Sequence, residues 1–220
     1  MQLSSLIESL ERLDAIRHKF PKNTLIVQPL SVLNCLQEFK LKNQKVTMLE
    51  LAKSLGFSAP TNTHYETINR FSHCNWVNVE RNPDTSAFYR NLFSLSDEAS
   101  GIIEVCHTKT CTPSNLKKFF GRVISIQTRY ADSCLALNNF VILLYVYHAY
   151  LTDRVAVQSD LQKRLTVSAN AVRQLSHRLE RHELIERERS IIRGRVGNNQ
   201  QITYQLTDKG HSTCSFLVDV

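Results

Sequence analysis

Residues 161–168 read LQKRLTVS, and residues 169–189 continue as ANAVRQLSHRLERHELIERER. An arginine- and glycine-containing segment follows at residues 187–197, and YQLTDKG stands at residues 204–210. Apolar side chains recur at the three- and four-residue spacing of an amphipathic helix at Val172, Leu175 and Leu179. The order predicts a helix, a turn, a second helix and an antiparallel hairpin.

A similar stretch stands 110 residues earlier, where LAKSLGFS at residues 51–58 aligns with LQKRLTVS. The apolar positions of the preceding helices align at the same offset. A repeat over half of a 220-residue chain predicts a duplicated domain. We therefore expect domains at residues 1–105 and 114–220, joined by a polar linker at residues 106–113 that contains Pro113.

Local signals place the elements of both halves. Thr47 and Glu50 form a capping box that opens a helix, and Gly56 ends that helix. Strands are predicted at residues 76–81 and 87–95, and a hairpin is predicted around Gly194 and Gly197. At most a short helix is expected after Thr207. Apolar spacing predicts helices at residues 3–19, 29–41, 114–131, 136–151, 158–165 and 169–182, and one through Tyr65, Ile68 and Phe71. The expected fold is mainly α with small β-hairpins, an α+β class.

The chain is basic, with 27 Lys and Arg against 20 Asp and Glu, a formal net charge of +7. Residues 1–110 hold 12 basic and 11 acidic side chains, whereas residues 111–220 hold 15 and 9. A basic excess favours a polyanionic partner, most commonly nucleic acid. The second half, at +6, is therefore expected to dominate such binding.

Several classes are disfavoured by what the sequence lacks. The most apolar run, residues 140–147, is far shorter than the roughly 20 residues that span a bilayer, and no export signal is visible. We therefore expect a cytoplasmic protein without a membrane partner. Because no Gly-rich phosphate loop, nucleophile elbow or HExxH motif occurs, we expect no enzymatic activity, cofactor or metal.

The predicted helix at residues 169–182 turns a polar face outward. Ser168 stands where an N-cap belongs, so its oxygen satisfies a first-turn N–H. Arginine can bond guanine, and asparagine or glutamine can bond adenine, each through two atoms in the major groove. The candidate DNA contacts are Ser168, at a helix start whose free N–H groups suit a phosphate, and the reading residues Asn170, Arg173, Gln174 and His177. The alternative is an ordinary solvated helix face.

The hairpin that follows carries a second cluster of arginines, in which the candidate DNA contacts are Arg189, Arg193 and Arg195. A basic loop beside such a helix can enter a minor groove or contact phosphates. The alternative is a tip that only aids solubility.

These residues give the second half a resemblance to the MarR transcription regulators. It covers about residues 114–212 and rests on residues 135–143, on the run from Val167 to Arg187, and on LTDKG at residues 206–210. The resemblance implies a winged helix-turn-helix that binds double-stranded DNA, with residues 169–182 as the recognition helix and the hairpin as the wing. No set of residues in the sequence predicts a binding site for a small-molecule effector.

Relatives in that family pair two chains, and the repeat resembles the double-length members of its Sar branch. The resemblance implies a pseudo-dimer within one chain, with residues 3–19 and 114–131 supplying mutual packing. Alternatively each of these helices covers its own domain. A homodimer is the other possible assembly.

The first half matches less well. Its wing has Pro-Asp at residues 83–84 where the second has Arg-Gly-Arg, and Glu66 on its recognition helix disfavours phosphate. Its candidate DNA contacts are Asn62, Thr63, Asn69 and Arg70.

The segment CHTKTC at residues 106–111 has a hint of ligand spacing. A zinc site needs four ligands, and redox sensing by Cys106 and Cys111 needs exposed thiols. We predict neither a metal site nor a redox pair here. Cys35 and Cys134 lie beside apolar helical positions and are predicted core residues.

The sequence thus favours a sequence-specific, double-stranded DNA-binding transcription regulator with two winged-helix repeats. Two alternatives remain: a replication initiator built from tandem winged helices, or a winged-helix module that binds other proteins.

Overall fold

The computed structural model describes residues 2–21, 27–83, 90–129, 135–191 and 200–218. The described chain is mainly helical and contains two small antiparallel sheets of three strands each. The predicted α+β class is therefore confirmed. Within the described ranges, no helix is both long and apolar enough to span a membrane.

The first half contains five helices and three strands among its described residues. Strand β3 pairs with both β1 and β2, with Val77 opposite Leu95 and Val46 opposite Phe93. The elements are α1 (Leu3–Ala15), α2 (Val27–Leu41), β1 (Val46–Thr47), α3 (Met48–Ser54), α4 (Asn62–His73), β2 (Val77–Arg81), β3 (Asn91–Leu95) and α5 (Asp97–Glu104). A short 3-10 helix, Arg17–Lys19, occupies the end of the predicted helix 3–19.

The second half shows the same order of elements. Strand β6 lies between β4 and β5, with Ile185 opposite Leu206. The elements are α6 (Pro113–Arg129), α7 (Leu137–Leu151), β4 (Ala156–Val157), α8 (Gln158–Arg164), α9 (Ala169–Arg181), β5 (Ile185–Ile191), β6 (Gln200–Leu206) and α10 (Asp208–Val218). Helix α10 has 11 residues and is longer than the short helix expected there.

Local chemistry explains where α3 begins and ends. The Thr47 hydroxyl accepts a hydrogen bond from the Glu50 N–H at 3.3 Å, and the Glu50 carboxylate accepts one from the Thr47 N–H at 2.7 Å. This is the predicted capping box. Gly56 follows the C-cap with a φ of 90°, a left-handed conformation that favours glycine.

The two most apolar helices lie at the centre of the packing. Helices α2 and α7 are buried on nearly all sides, as their lack of an apolar–polar alternation predicts. Helix α7 packs against α1, α9, α10 and β6, so it is the central helix of the packing in the second half. Cys35 on α2 is buried, as predicted, whereas Cys134 lies outside the described residues.

The contacts divide the chain into two compact units that do not follow the sequence repeat. We call residues 16–125 the α4 unit, and residues 1–15 together with 126–220 the α9 unit. Helix α1 lies in the α9 unit because its apolar stripe of Leu6, Leu10 and Leu13 is buried there and the helix packs against α7. The predicted domains 1–105 and 114–220 describe the sequence repeat, whereas the contacts group α1 and most of α6 differently.

Candidate nucleic-acid interface

Helix α9 separates a buried face from an exposed polar face. The predicted readers Asn170, Arg173, Gln174 and His177 are all exposed. The buried face consists of Val172, Ser176 and Leu179, so one predicted core residue is wrong: Leu175 is only half-buried. Ser176 takes the inner position because its hydroxyl donates to the Val172 carbonyl at 2.9 Å, which satisfies it without water.

The beginning of α9 has the capping predicted for it. The Ser168 hydroxyl accepts a hydrogen bond from the Ala171 N–H at 3.2 Å. One turn further, the Arg173 guanidinium donates to the Asn170 side-chain oxygen at 2.9 Å. Two candidate readers therefore form a pair on the exposed surface beside the helix N-terminus, where free N–H groups favour an anion.

Glu180, near the end of α9, lies beside two basic side chains. Its carboxylate lies 2.8 Å from His177 Nδ1 and 3.5 Å from the Arg187 guanidinium. His177 is therefore exposed but has an acidic neighbour, and Arg187, with only 16% of its side chain exposed, points toward the helix. Glu180 therefore adds negative charge beside His177 and Arg187, whereas Arg178 and Arg181 are exposed on the last turn of α9.

The hairpin strands contribute one described arginine to the candidate interface. Arg189 is exposed on β5, two residues beyond the half-buried Arg187. Strand β6 is fixed to α8 through Tyr204, whose hydroxyl donates to the Gln158 side-chain oxygen at 3.0 Å, and burial raises the pKa of this tyrosine. The predicted contacts Arg193 and Arg195 lie outside the described residues.

Helix α4 presents a weaker counterpart. The candidates Asn62, Thr63, Asn69 and Arg70 are all exposed, and so is Glu66, while Thr67, Ile68 and Phe71 are buried. Because Glu66 lies among them, the exposed face of α4 carries no clear excess of positive charge. In the adjacent hairpin, Glu80 pairs with Lys45 at 2.5 Å.

His64 is a residue of α4 that the sequence analysis missed. Its Nδ1 accepts a hydrogen bond from the Thr61 N–H at 3.0 Å, so it closes a capping box in the place that glutamate usually takes. The ring is fully buried, lies 4.8 Å from the Phe57 ring, and has its pKa lowered by burial. A polar residue three positions after Thr61 was the signal for it.

Two carboxylates of α1 also escaped prediction. Asp14 accepts hydrogen bonds from Thr166, and Glu11 pairs with Arg164, so both reach the segment that leads into α9. More than 150 residues separate each pair in sequence. No local pattern predicts such a contact.

The grouping of the helices changes the charge argument. The α4 unit contains 14 Lys and Arg against 8 Asp and Glu, a net charge of +6, and the α9 unit contains 13 against 12, a net charge of +1. The reason is that α1 brings Glu8, Glu11 and Asp14, with Arg12, to the α9 unit, while Lys117, Lys118 and Arg122 of α6 belong to the α4 unit. Net charge therefore does not favour α9 as the stronger binder; only the local distribution of charge does.

The segment with a hint of ligand spacing is packed rather than exposed. Cys106, Cys111 and Pro113 are all buried. Among the described residues, no group of three or more His, Cys, Asp or Glu side chains is arranged to hold a metal ion. Burial removes the exposed thiolate that redox sensing would need.

Comparison of the chain with protein-family models and with curated proteins gave no match.

Proposed function

We propose that this chain is a sequence-specific, double-stranded DNA-binding transcription regulator in which α3–α4 and α8–α9 are the helix-turn-helix pairs of two winged-helix units. The observation that carries the proposal is the exposed face of Asn170, Arg173 and Gln174 at the capped beginning of α9, beside a hairpin that presents Arg189. The two compact units take the place of the two subunits of a dimer, so we propose one chain as a pseudo-dimer.

The chemistry of that face suits base reading. Arginine, asparagine and glutamine are the side chains that form two-atom contacts with guanine and adenine edges, and an α-helix fits the major groove. The Ser168 cap leaves the first-turn dipole directed at an approaching phosphate. The exposed polar groups of α9 therefore suit both the positioning of a phosphate and the reading of base edges.

The hairpin supplies the sequence-independent part of binding. Arg189 is exposed, whereas Arg187 is held by Glu180, so β5 offers one described cation for a phosphate. Each neutralised phosphate contributes about 0.9 to the slope of log affinity against log salt. Arg193 and Arg195 are predicted from the sequence to add to the same effect.

One observation favours a second candidate, a module that binds other proteins. The α9 unit has a net charge of only +1, and Glu66 weakens the face of α4. Such a protein would use the same exposed helices without any affinity for duplex DNA. A tandem winged-helix replication initiator would bind DNA as the proposal requires, but at repeated direct sites.

The test is a titration of labelled random-sequence duplex DNA at ~50 and ~200 mM salt. We expect affinity to fall steeply with salt, and Arg189→Ala to lower the slope by about 1. Arg154→Ala, which removes the same charge from the exposed turn after α7, is the control and should leave the slope unchanged. Absence of salt-dependent binding by the native chain would favour the protein-binding module.

A further inference from the structure

The turns that lead into α4 and α9 are closed in different ways. Before α4, the chain leaves α3 through Gly56, and the Gly56 and Phe57 N–H groups donate to the Lys53 and Ala52 carbonyls at 3.0 and 2.9 Å. Before α9, the position that aligns with Gly56 is Thr166. Leu165, the C-cap of α8, has an extended backbone with a ψ of 139° instead of continuing into a left-handed turn.

A carboxylate from the other end of the sequence holds this second turn. Asp14 on α1 accepts hydrogen bonds from the Thr166 N–H at 2.8 Å and from the Thr166 hydroxyl at 2.5 Å. The Asp14 residue is 5% exposed. Hydrogen bonds to an ionised acceptor are about twice as strong as neutral ones, and the burial of Asp14 shields the acceptor from water, whereas Thr166 is exposed.

A second carboxylate, one helical turn earlier on α1, holds the end of α8. Glu11 pairs with the Arg164 guanidinium at 3.0 Å, and this hydrogen bond raises the pKa of Arg164. The same guanidinium lies 5.2 Å from the centre of the Tyr145 ring. Glu11 and Asp14 therefore reach both sides of Leu165, where the chain changes from α8 to the segment before α9.

We propose that Asp14 is a positioning residue for DNA reading, because it fixes Thr166 and thereby the orientation in which α9 begins. This inference rests on the proposed function. Ser168, the N-cap of α9, is only two residues beyond Thr166, and Asn170 and Arg173 follow within the first turns. A binding site needs its side chains held within about 0.5 Å and 10–20°, so a loose turn weakens base reading more than it weakens phosphate contact.

The packing of α1 within the α9 unit accounts for the position of both carboxylates. The apolar stripe of α1 packs against α7, and this packing places Asp14 and Glu11 at the turn. In the α4 unit, Gly56 closes the corresponding turn from within, so no distant carboxylate is required there. The amino-terminal helix thus controls the candidate reading helix of the second half of the sequence.

The experiment compares Asp14→Asn with Glu8→Gln, which removes the same charge from α1. Glu8 is the matched control because it is exposed and pairs with Arg12 of its own helix at 2.5 Å. Amide hydrogen exchange of the DNA-free protein reports on the turn, and the ratio of affinities for selected and random duplex reports on reading. Thr166→Val, which keeps the side-chain shape, is the second variant.

We expect Asp14→Asn to accelerate exchange of the Thr166 N–H and the first amides of α9 by roughly tenfold relative to Glu8→Gln, as loss of a charged hydrogen bond implies. The β5–β6 amides should stay protected. The ratio of selected to random affinity should fall by about tenfold, with random-duplex affinity equal in the two variants. Thr166→Val should show a smaller change in the same direction.

Three results would overturn the inference: unchanged exchange at the turn, equally faster exchange throughout the α9 unit, or faster exchange at the turn with an unchanged affinity ratio. The proposed function fails separately, because a native chain that binds no duplex refutes it while the exchange measurement still shows whether Asp14 holds the turn.

Discussion

At the scale of single residues, the proposed base reading depends most on Arg173. It is exposed on the first half of α9 and donates to Asn170, so the two side chains can present a joined donor and acceptor surface to a base pair. Glu180 lies about two turns further along α9, so its carboxylate does not cancel the positive charge of Arg173.

We predict that Arg173→Ala costs about 1–3 kcal/mol of binding to a selected site and relaxes preference at one base position. Arg181→Ala is the control, since it removes an exposed arginine from the far end of the same helix. Fluorescence anisotropy with selected and random duplexes measures both variants. An equal loss on the two DNAs in Arg173→Ala would mean that this residue contacts phosphate rather than a base.

His107 is a residue whose ionisation should affect stability. Asn34 Nδ2 donates to the Leu30 carbonyl at 2.9 Å, so its Oδ1 accepts from His107 Nε2 at 3.0 Å. Burial lowers the pKa of His107 from 6.5 to about 4, against a smaller opposing effect of Glu104. The unfolded chain therefore binds a proton between these pH values that the folded chain does not.

Stability of the α4 unit should accordingly be complete above pH 6.5 and fall as the pH drops toward about 4. The loss is at most about 3 kcal/mol, and smaller because solvent reaches part of the ring. His107→Gln should flatten this dependence, whereas His18→Gln, at an exposed position of the same unit, should not. Denaturant unfolding followed by the fluorescence of Trp76, the single tryptophan, measures it; identical pH curves for all three proteins would contradict the assignment.

Residue-scale prediction from the sequence succeeded where periodicity applies and failed where a partner is distant. The exposure of the candidate readers on α9 follows from helical spacing, because opposite faces are fixed by 3.6 residues per turn. Ser176 replaced Leu175 in the core because a serine can satisfy itself on its own helix, which periodicity ignores. Asp14 was not predictable, since its partner Thr166 is 152 positions away.

At the scale of elements, α10 is positioned by a close backbone approach at Gly210. A Cβ atom built there would lie 1.9 Å from the carbonyl oxygen of Leu184, the residue before β5, so the helix can approach this backbone only because the side chain is absent. The Thr207 hydroxyl accepts from the Gly210 N–H at 3.0 Å and sets the same helix start. This contact fixes the end of the hairpin relative to the last helix.

We predict that Gly210→Ala destabilises the α9 unit by about 3 kcal/mol, because a backbone oxygen cannot move aside as a side chain can. Gly101→Ala in α5 is the matched change: nothing lies within 4 Å of its Cβ position, so it should stabilise its helix by about 0.5–1 kcal/mol. Thermal unfolding followed by circular dichroism compares them. Equal effects of the two substitutions would contradict the close approach.

Helices were predicted better than strands at this scale. Capping signals and apolar spacing located α2, α3, α6, α7, α8 and α9 to within a few residues. Strands β1 and β4 have only two residues each, and they form by pairing with β3 and β6, which no local pattern reveals. Helix α5 was missed because its eight residues follow a strand signal directly.

At the scale of the whole molecule, the first helix of each predicted repeat belongs wholly or mostly to the compact unit that holds the rest of the other repeat. Helix α1 contributes to the α9 unit, and most of α6 contributes to the α4 unit, where Lys117 pairs with Glu38 at 2.6 Å. A repeat in sequence reveals which elements are equivalent, but apolar stripes of equal width do not specify which partner they cover. The unit charges of +6 and +1 follow from this exchange of helices.

Selection of bound sequences from a random duplex pool tests whether one chain reads duplex DNA. We expect an enriched motif with two dissimilar half-sites, since Asn170, Arg173 and Gln174 on α9 differ from Asn62, Asn69 and Arg70 on α4. Stoichiometric titration of that motif should give one chain per site. A pool that shows no enrichment would contradict DNA reading, and a perfect palindrome bound by two chains through their α9 helices would contradict the pseudo-dimer.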